Sequence, residues 1–176
     1  QGRYRLVHSG DVKIYENLDA LPRATLVHRA RVMPSDGEVM RAMQGADFQP
    51  AQEVLLSSPA RPLEPGPSTA DRIGMLAYEP ERILVEVETD RPGYLVVSDA
   101  YYPGWRATLD GQPTEIERAD FLFRAVYVPA GRHRVEFVYQ PASFLLGAGV
   151  SLAALLGSAA GWLWARRPRR GQGVAV

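Results

Sequence analysis

The densest group of chemically capable residues in this chain is the run Ser98, Asp99, Ala100, Tyr101, Tyr102, Pro103, Gly104, Trp105, Arg106, set between two stretches that read as strands. Aromatic faces stack on the apolar faces of sugar rings, and a carboxylate and a guanidinium hydrogen-bond hydroxyls or, for arginine, phosphate. Asp99, Tyr101, Tyr102, Trp105 and Arg106 are therefore candidate contacts to a glycan or a lipid-phosphate headgroup. The same residues also suit a structural role, with Trp105 in a core, Pro103 and Gly104 in a tight turn and Asp99 on local backbone.

Other residue types point to little further chemistry. Glu86 and Glu88 form an i, i+2 carboxylate pair, the spacing of a solvated strand face. His8, His28 and His133 are scattered without ligand spacing, and cysteine is absent, so no metal site is expected. The chain has no P-loop, no G-x-S-x-G and no dinucleotide fingerprint, and neither a catalytic residue nor a cofactor is assigned. Twenty basic and twenty acidic residues cancel, leaving no global field for nucleic acid. Arg132 and Arg134 suit either solvated strand positions or phosphate headgroups.

The elements that must position the aromatic loop read as mainly β. From Arg72 to Gln140, apolar runs recur every eight to twelve residues between turn residues, the spacing of an antiparallel β-sandwich. Arg82–Thr89 alternates, with Ile83, Val85, Val87 and Thr89 on one face. Tyr94–Ser98 is an unbroken central strand. Trp105–Leu109 leads to the hairpin signal Asp110-Gly111, and Thr114–Arg118 returns. Phe121–Val128 and Arg134–Tyr139 form another pair.

Before this lies a small α+β segment, residues 1–57. Tyr4–His8 and Val12–Tyr15 flank a turn, Ala24–Met33 is a third extended run, and Glu53–Leu56 is a further strand. Ser35 or Asp36 caps a helix to about Gln44, with Val39, Met40 and Met43 on one face. Residues 58–71 are proline-punctuated and read as a linker, leaving 72–141 as the sandwich.

Phe144–Ala165 carries no charge, and at about 1.5 Å per residue reaches about 33 Å, enough to span a hydrocarbon core. Arg166, Arg167, Pro168, Arg169 and Arg170 follow, and the positive-inside rule makes the tail 166–176 cytoplasmic and everything before Phe144 extracytoplasmic. Gly149, Ala153, Gly157 and Gly161 share one face, a stripe suited to packing against other membrane helices. The chain opens on Gln1 without a signal peptide, so upstream sequence with further membrane helices is expected.

Two segments resemble a known family: Ile14-Tyr15-Glu16-Asn17 followed by Ala20-Leu21-Pro22-Arg23-Ala24, and Ser98–Gly111, SDAYYPGWRATLDG. Both resemble the C-terminal region of bacterial YfhO-type membrane proteins, as do the linker, the β-segment and the closing apolar helix. The resemblance implies a large multi-spanning protein similar to GT-C glycosyltransferases, taking sugar from a polyprenyl-phosphate donor to cell-envelope polymers. The catalytic acidic residues of such enzymes lie in a first outside loop that this chain does not contain. The resemblance therefore implies an accessory outer domain, partnered by the membrane, by upstream helices and by envelope glycan or polyprenyl-phosphate sugar.

Overall fold

A computed structural model of the chain describes residues 3–63, 66 and 68–166. In chain order the elements are β1 (Tyr4–Ser9), β2 (Lys13–Asn17), β3 (Ala24–Val27), β4 (Arg29–Val32), α1 (Asp36–Gln44), β5 (Glu53–Leu56), β6 (Arg72–Glu79), β7 (Arg82–Thr89), β8 (Gly93–Ala100), β9 (Trp105–Leu109), β10 (Gln112–Thr114), β11 (Glu117–Ala119), β12 (Phe123–Val128), β13 (Gly131–Tyr139) and α2 (Ala142–Ala165). Strands β1 and β2 pair alone; a five-stranded sheet runs β10-β9-β13-β7-β6, and a six-stranded sheet runs β3-β8-β12-β11-β5-β4. Pairing is antiparallel except between β4 and β5, which α1 connects as a parallel crossover. The mainly-β, antiparallel reading holds.

The alternation in β7 does what its spacing requires. Ile83, Val85 and Val87 turn inward and meet Val135 and Phe137 of β13 and Leu95, Val97, Val126 and Val128 of the facing sheet, forming the core between the two sheets. Glu86 and Glu88 point away and pair with Arg132 and Arg72, at 3.0 and 3.7 Å. Strands β8 and β12 carry apolar side chains on both faces because their sheet is buried on both sides, apart from Ser98, Asp99 and Arg124 at one end. Tyr94, Val96, Ala125 and Tyr127 face away from the sandwich core into a second cluster with Val27, Val54, Leu56 and Ala119.

That second cluster corrects the division of the chain at 58–71. The segment before the linker is not a separate unit: β3 pairs with β8, β5 pairs with β11, and residues 1–139 form one compact unit, with 140–176 as another. The buried faces of these short strands are covered only when they join the larger sheet. The proline-rich stretch is a strap rather than a spacer. Ala60 and Leu63 pack on the second cluster, the Arg61 backbone N–H donates to the Tyr94 hydroxyl at 2.8 Å, and Ser58 donates to buried Glu117 at 2.7 Å. Glu64, Pro65 and Pro67 of the same stretch lie outside the described residues.

Three element boundaries differ from the sequence reading. Ala24–Met33 breaks at His28 into β3 and β4, which stand at opposite ends of the six-stranded sheet although one residue separates them, so that sheet must curl until its ends approach. His28 is tied down at the break by Asp71 at 2.8 Å and by the Pro92 carbonyl at 2.9 Å. Thr114–Arg118 is not one returning strand: β10 completes the hairpin with β9, then β11 changes sheets to bury Glu117. Strand β6, which sequence patterning leaves unassigned, is an edge strand exposed along nearly its whole length.

Local signals read correctly elsewhere. Ser35 caps α1, its hydroxyl accepting from the Glu38 backbone N–H, and Val39 is buried while Met40 and Met43 remain exposed. Asp110 and Gly111 both adopt positive φ, 52° and 81°, as a tight hairpin of this type requires. Helix α2 is long and apolar enough from Ala142 to Trp164 to cross a membrane. Arg166 closes it, its N–H donating to the Trp162 carbonyl and its guanidinium 3.7 Å from the centre of the Trp162 ring. Arg167, Pro168, Arg169, Arg170 and the rest of the tail lie outside the described residues. Along the stripe, a methyl added at Gly149, Gly157 or Gly161 would meet nothing within 4 Å among the described residues.

Asp120 joins the first segment to the sandwich. Its carboxylate accepts from the Leu55 N–H at 2.9 Å, and its own N–H donates to the Leu55 carbonyl at 2.8 Å. Burial, reinforced by the nearby Glu53 charge, pushes its pKa up to about 6 against the pull of the Leu55 bond. An acid whose pKa is raised on folding stabilises the fold fully only below its unfolded pKa, and that contribution is lost as pH rises through the folded value. Between about pH 4 and about pH 6 the fold should therefore lose on the order of 3 kcal/mol from this group. Urea unfolding of the chain in detergent micelles across that window, compared with Asp120→Asn, checks this. The variant keeps the acceptor and the tolerance for positive φ, and its slope with pH should be flatter by that amount.

Candidate functional site

The sandwich core ends in a charged side chain. Arg124 lies in β12 on the same face as Val126 and Val128, so alternation drives its guanidinium between the sheets. There it is 2% exposed. It lies over the Trp105 ring, 3.9 Å from the ring centre, and 5.5 Å from that of Phe137. Trp105 in turn packs at 5.4 Å against Tyr139.

An irregularity in β8 supplies the opposing charge. Arg124 is in register with Val97, whereas the preceding Phe123 is in register with Ala100, so Ser98 and Asp99 are extra residues in a bulge. Bulges re-aim side chains. Here Asp99 reaches Arg124 Nη2 at 3.3 Å through Oδ2, while Oδ1 accepts from the Tyr78 hydroxyl at 3.0 Å and from Arg23 Nη1 at 3.3 Å. Arg23 is held by the Ser98 carbonyl at 3.1 Å and lies 5.4 Å from the Tyr78 ring centre. The hydrogen bond to Asp99 raises the Tyr78 pKa, with partial burial adding to it. Burial lowers that of Arg124, which Asp99 and Tyr78 oppose. Nε and Nη1 of Arg124 are buried and have no acceptor among the described residues.

These residues border an open cavity of about 600 Å³ at this end of the sandwich, walled by Tyr78, Tyr102, Trp105 and Tyr139, with Asp99 and Arg124 at its polar side. Such a wall stacks on an apolar ring face while the polar side hydrogen-bonds hydroxyls or an anion. Both oxygens of Asp99 are already engaged, so its place in the network is to hold Arg124, Arg23 and Tyr78.

The five residues of the aromatic loop do not converge on one point. Asp99, Tyr102 and Trp105 border the large cavity, whereas Tyr101 and Arg106 border a second hollow of about 300 Å³ with Pro113 and Ile116, which Tyr102 and Trp105 also touch. Gly104, at φ 107°, turns the chain between them. Arg124, Tyr78, Tyr139 and Arg23 are site residues that sequence reading missed. The available signal was Arg124 itself, a charge inside the otherwise apolar run Phe123–Val128. The histidines stay apart: His133 bonds Asp110 at 2.7 Å, and among the described residues no group of three or more His, Cys, Asp or Glu side chains is placed to hold a metal.

Residues 70–151 match the family model of the bacterial membrane protein YfhO, just under half of the chain. No curated protein and no solved structure matches the chain. The matched stretch runs from the start of β6 through the bulge, the aromatic loop and Arg124 into the first turns of α2. Over that stretch the chain is similar to the bacterial membrane protein YfhO.

Proposed function

We propose that the chain is the extracytoplasmic accessory domain and last membrane helix of a multi-spanning GT-C-like glycosyltransferase, which moves sugar from a polyprenyl-phosphate donor onto cell-envelope polymers. The observation that carries this reading is the aromatic-walled cavity inside the YfhO-type stretch, with Trp105 and Tyr102 placed to stack on a sugar ring. Asp99, wholly engaged in the network, suits a domain that binds and positions rather than one that cleaves. In this reading Tyr101 and Arg106 contact the same glycan or a headgroup from the second hollow. The stripe Gly149, Ala153, Gly157 and Gly161 packs against upstream helices of the same protein, residues before Phe144 face outward, and the arginine-rich tail is cytoplasmic. A second reading, a membrane-anchored β-sandwich that binds glycan or a partner protein without belonging to a transferase, draws on the same cavity.

In membranes carrying the full-length protein, Trp105→Ala and Tyr102→Ala should each raise the KM for acceptor about fivefold, the worth of roughly 1 kcal/mol of stacking, with little change in kcat. Sugar transfer that proceeds unchanged in both variants, while the isolated chain still binds envelope polysaccharide, would favour the second reading. Topology has its own test because the chain lacks cysteine. A single Ser9→Cys should react with a membrane-impermeant maleimide added outside intact cells, and labelling only after lysis would reverse the orientation.

A further inference from the structure

We propose that the cavity beside Arg124 is an oxyanion site: it takes a sugar-bearing ligand by its phosphate or carboxylate group, with Arg124 on the charge and Trp105 on the ring. This rests on the reading that the cavity binds sugar, and adds that the ligand is charged.

The unmet valence of Arg124 leads to it. A guanidinium stays protonated and presents five N–H donors. In Arg124 only Nη2 has a charged partner, at 3.3 Å, while Nε and Nη1 are buried without an acceptor among the described residues. A buried cation so poorly matched is destabilising unless acceptors are supplied. Asp99 has none to spare, because its two oxygens already serve two guanidiniums and a phenol. Two positive side chains therefore share one carboxylate. The other acid on the cavity wall, Glu79, makes no salt bridge to Arg124 or Arg23 among the described residues. A neutral hydroxyl would satisfy an N–H and leave the charge unmatched, whereas a phosphate or carboxylate supplies acceptors and charge together.

The surroundings fit a ligand with an apolar face beside that anion. Trp105 packs against both Arg124 and Tyr139, and Tyr102 lies at the exposed edge. Only Gln140 and Pro141 separate Tyr139 from the first residue of the apolar helix in the chain.

The test is calorimetric titration of the full chain in detergent micelles with glucose, glucose 1-phosphate and glucuronate. One or both anionic sugars should bind at least about tenfold more tightly than glucose, in line with the greater strength of charge-assisted hydrogen bonds. Preference for glucose 1-phosphate assigns the phosphate, preference for glucuronate the carboxylate. Arg124→Met should abolish the preference while keeping the unfolding midpoint, since Asp99 retains Arg23 and Tyr78 and an apolar chain replaces a poorly matched buried cation. Arg124→Lys keeps the charge without the fork, and should retain part of the preference if the methionine variant fails to fold. Equal affinity for all three sugars overturns the oxyanion site and leaves the sugar cavity standing. No binding by any of them overturns both, and a preference that survives in both Arg124 variants places the anion elsewhere.

Discussion

The six-stranded sheet is buried on both faces, and most of the architecture of residues 1–139 follows from that constraint. An antiparallel sheet can leave one face in water, but β8 and β12 carry apolar side chains on both sides, so two separate covers are needed. The five-stranded sheet supplies one through Val85, Val87, Val135 and Phe137. The other face closes on itself, as the curled sheet brings Val27 of β3 and Val54 and Leu56 of β5 into one cluster with Tyr94 and Ala125, and Ala60 and Leu63 of the strap pack against that cluster. Each of these pieces is too short to bury its own apolar surface. Proximity in sequence is therefore a poor guide to partnership: β4 and β5 complete an edge of the sheet, while β10 and β11, next to each other in the chain, belong to different sheets.

The site uses the end of the same core. Where Val126 and Val128 leave off, the next inward position of β12 is Arg124, and the packing that would have accepted an aliphatic chain there accepts a guanidinium between aromatic rings instead. Burying that charge works against stability, and the bulge that brings Asp99 to it interrupts an otherwise regular pairing of β8 with β12. Two departures from local regularity thus fall at one place, and each is explained by the other. Functional sites are where such departures concentrate. Their coincidence within the stretch shared with YfhO gives this cavity precedence over the other hollows on the surface.

Much of the fold was legible. The alternation of Arg82–Thr89, the Asp110-Gly111 turn, the Ser35 cap and the unbroken run at Tyr94 each carry their cause within a few residues, and each appears in the structure as read. What was illegible depends on distant partners. Edge strand β6 has exposed apolar residues on both faces and so no alternation to read, and the break at His28 makes sense only once Asp71 and Pro92 are seen to hold it. The site divides in the same way. Asp99, Tyr102 and Trp105 were visible because they cluster in sequence, but Tyr101 and Arg106, from the same cluster, turn to another hollow, because the bulge and Gly104 redirect the chain.

The sequence alone determined the type of the molecule: a mainly β chain ending in an uncharged apolar helix long enough to span a membrane, with the residue pattern of a YfhO-type C-terminal region. Those properties follow from periodicity, composition and local turn chemistry, which act between near neighbours. Only the tertiary structure decided that the first segment, the strap and the sandwich are one unit, and that Arg124, Tyr78 and Tyr139 join Asp99 and Trp105 around one cavity, with Arg23 held on Asp99. The physical reason is that burial and charge pairing act through space: Arg124 and Asp99 are far apart in sequence, and only strand register, shifted by two residues, brings them together.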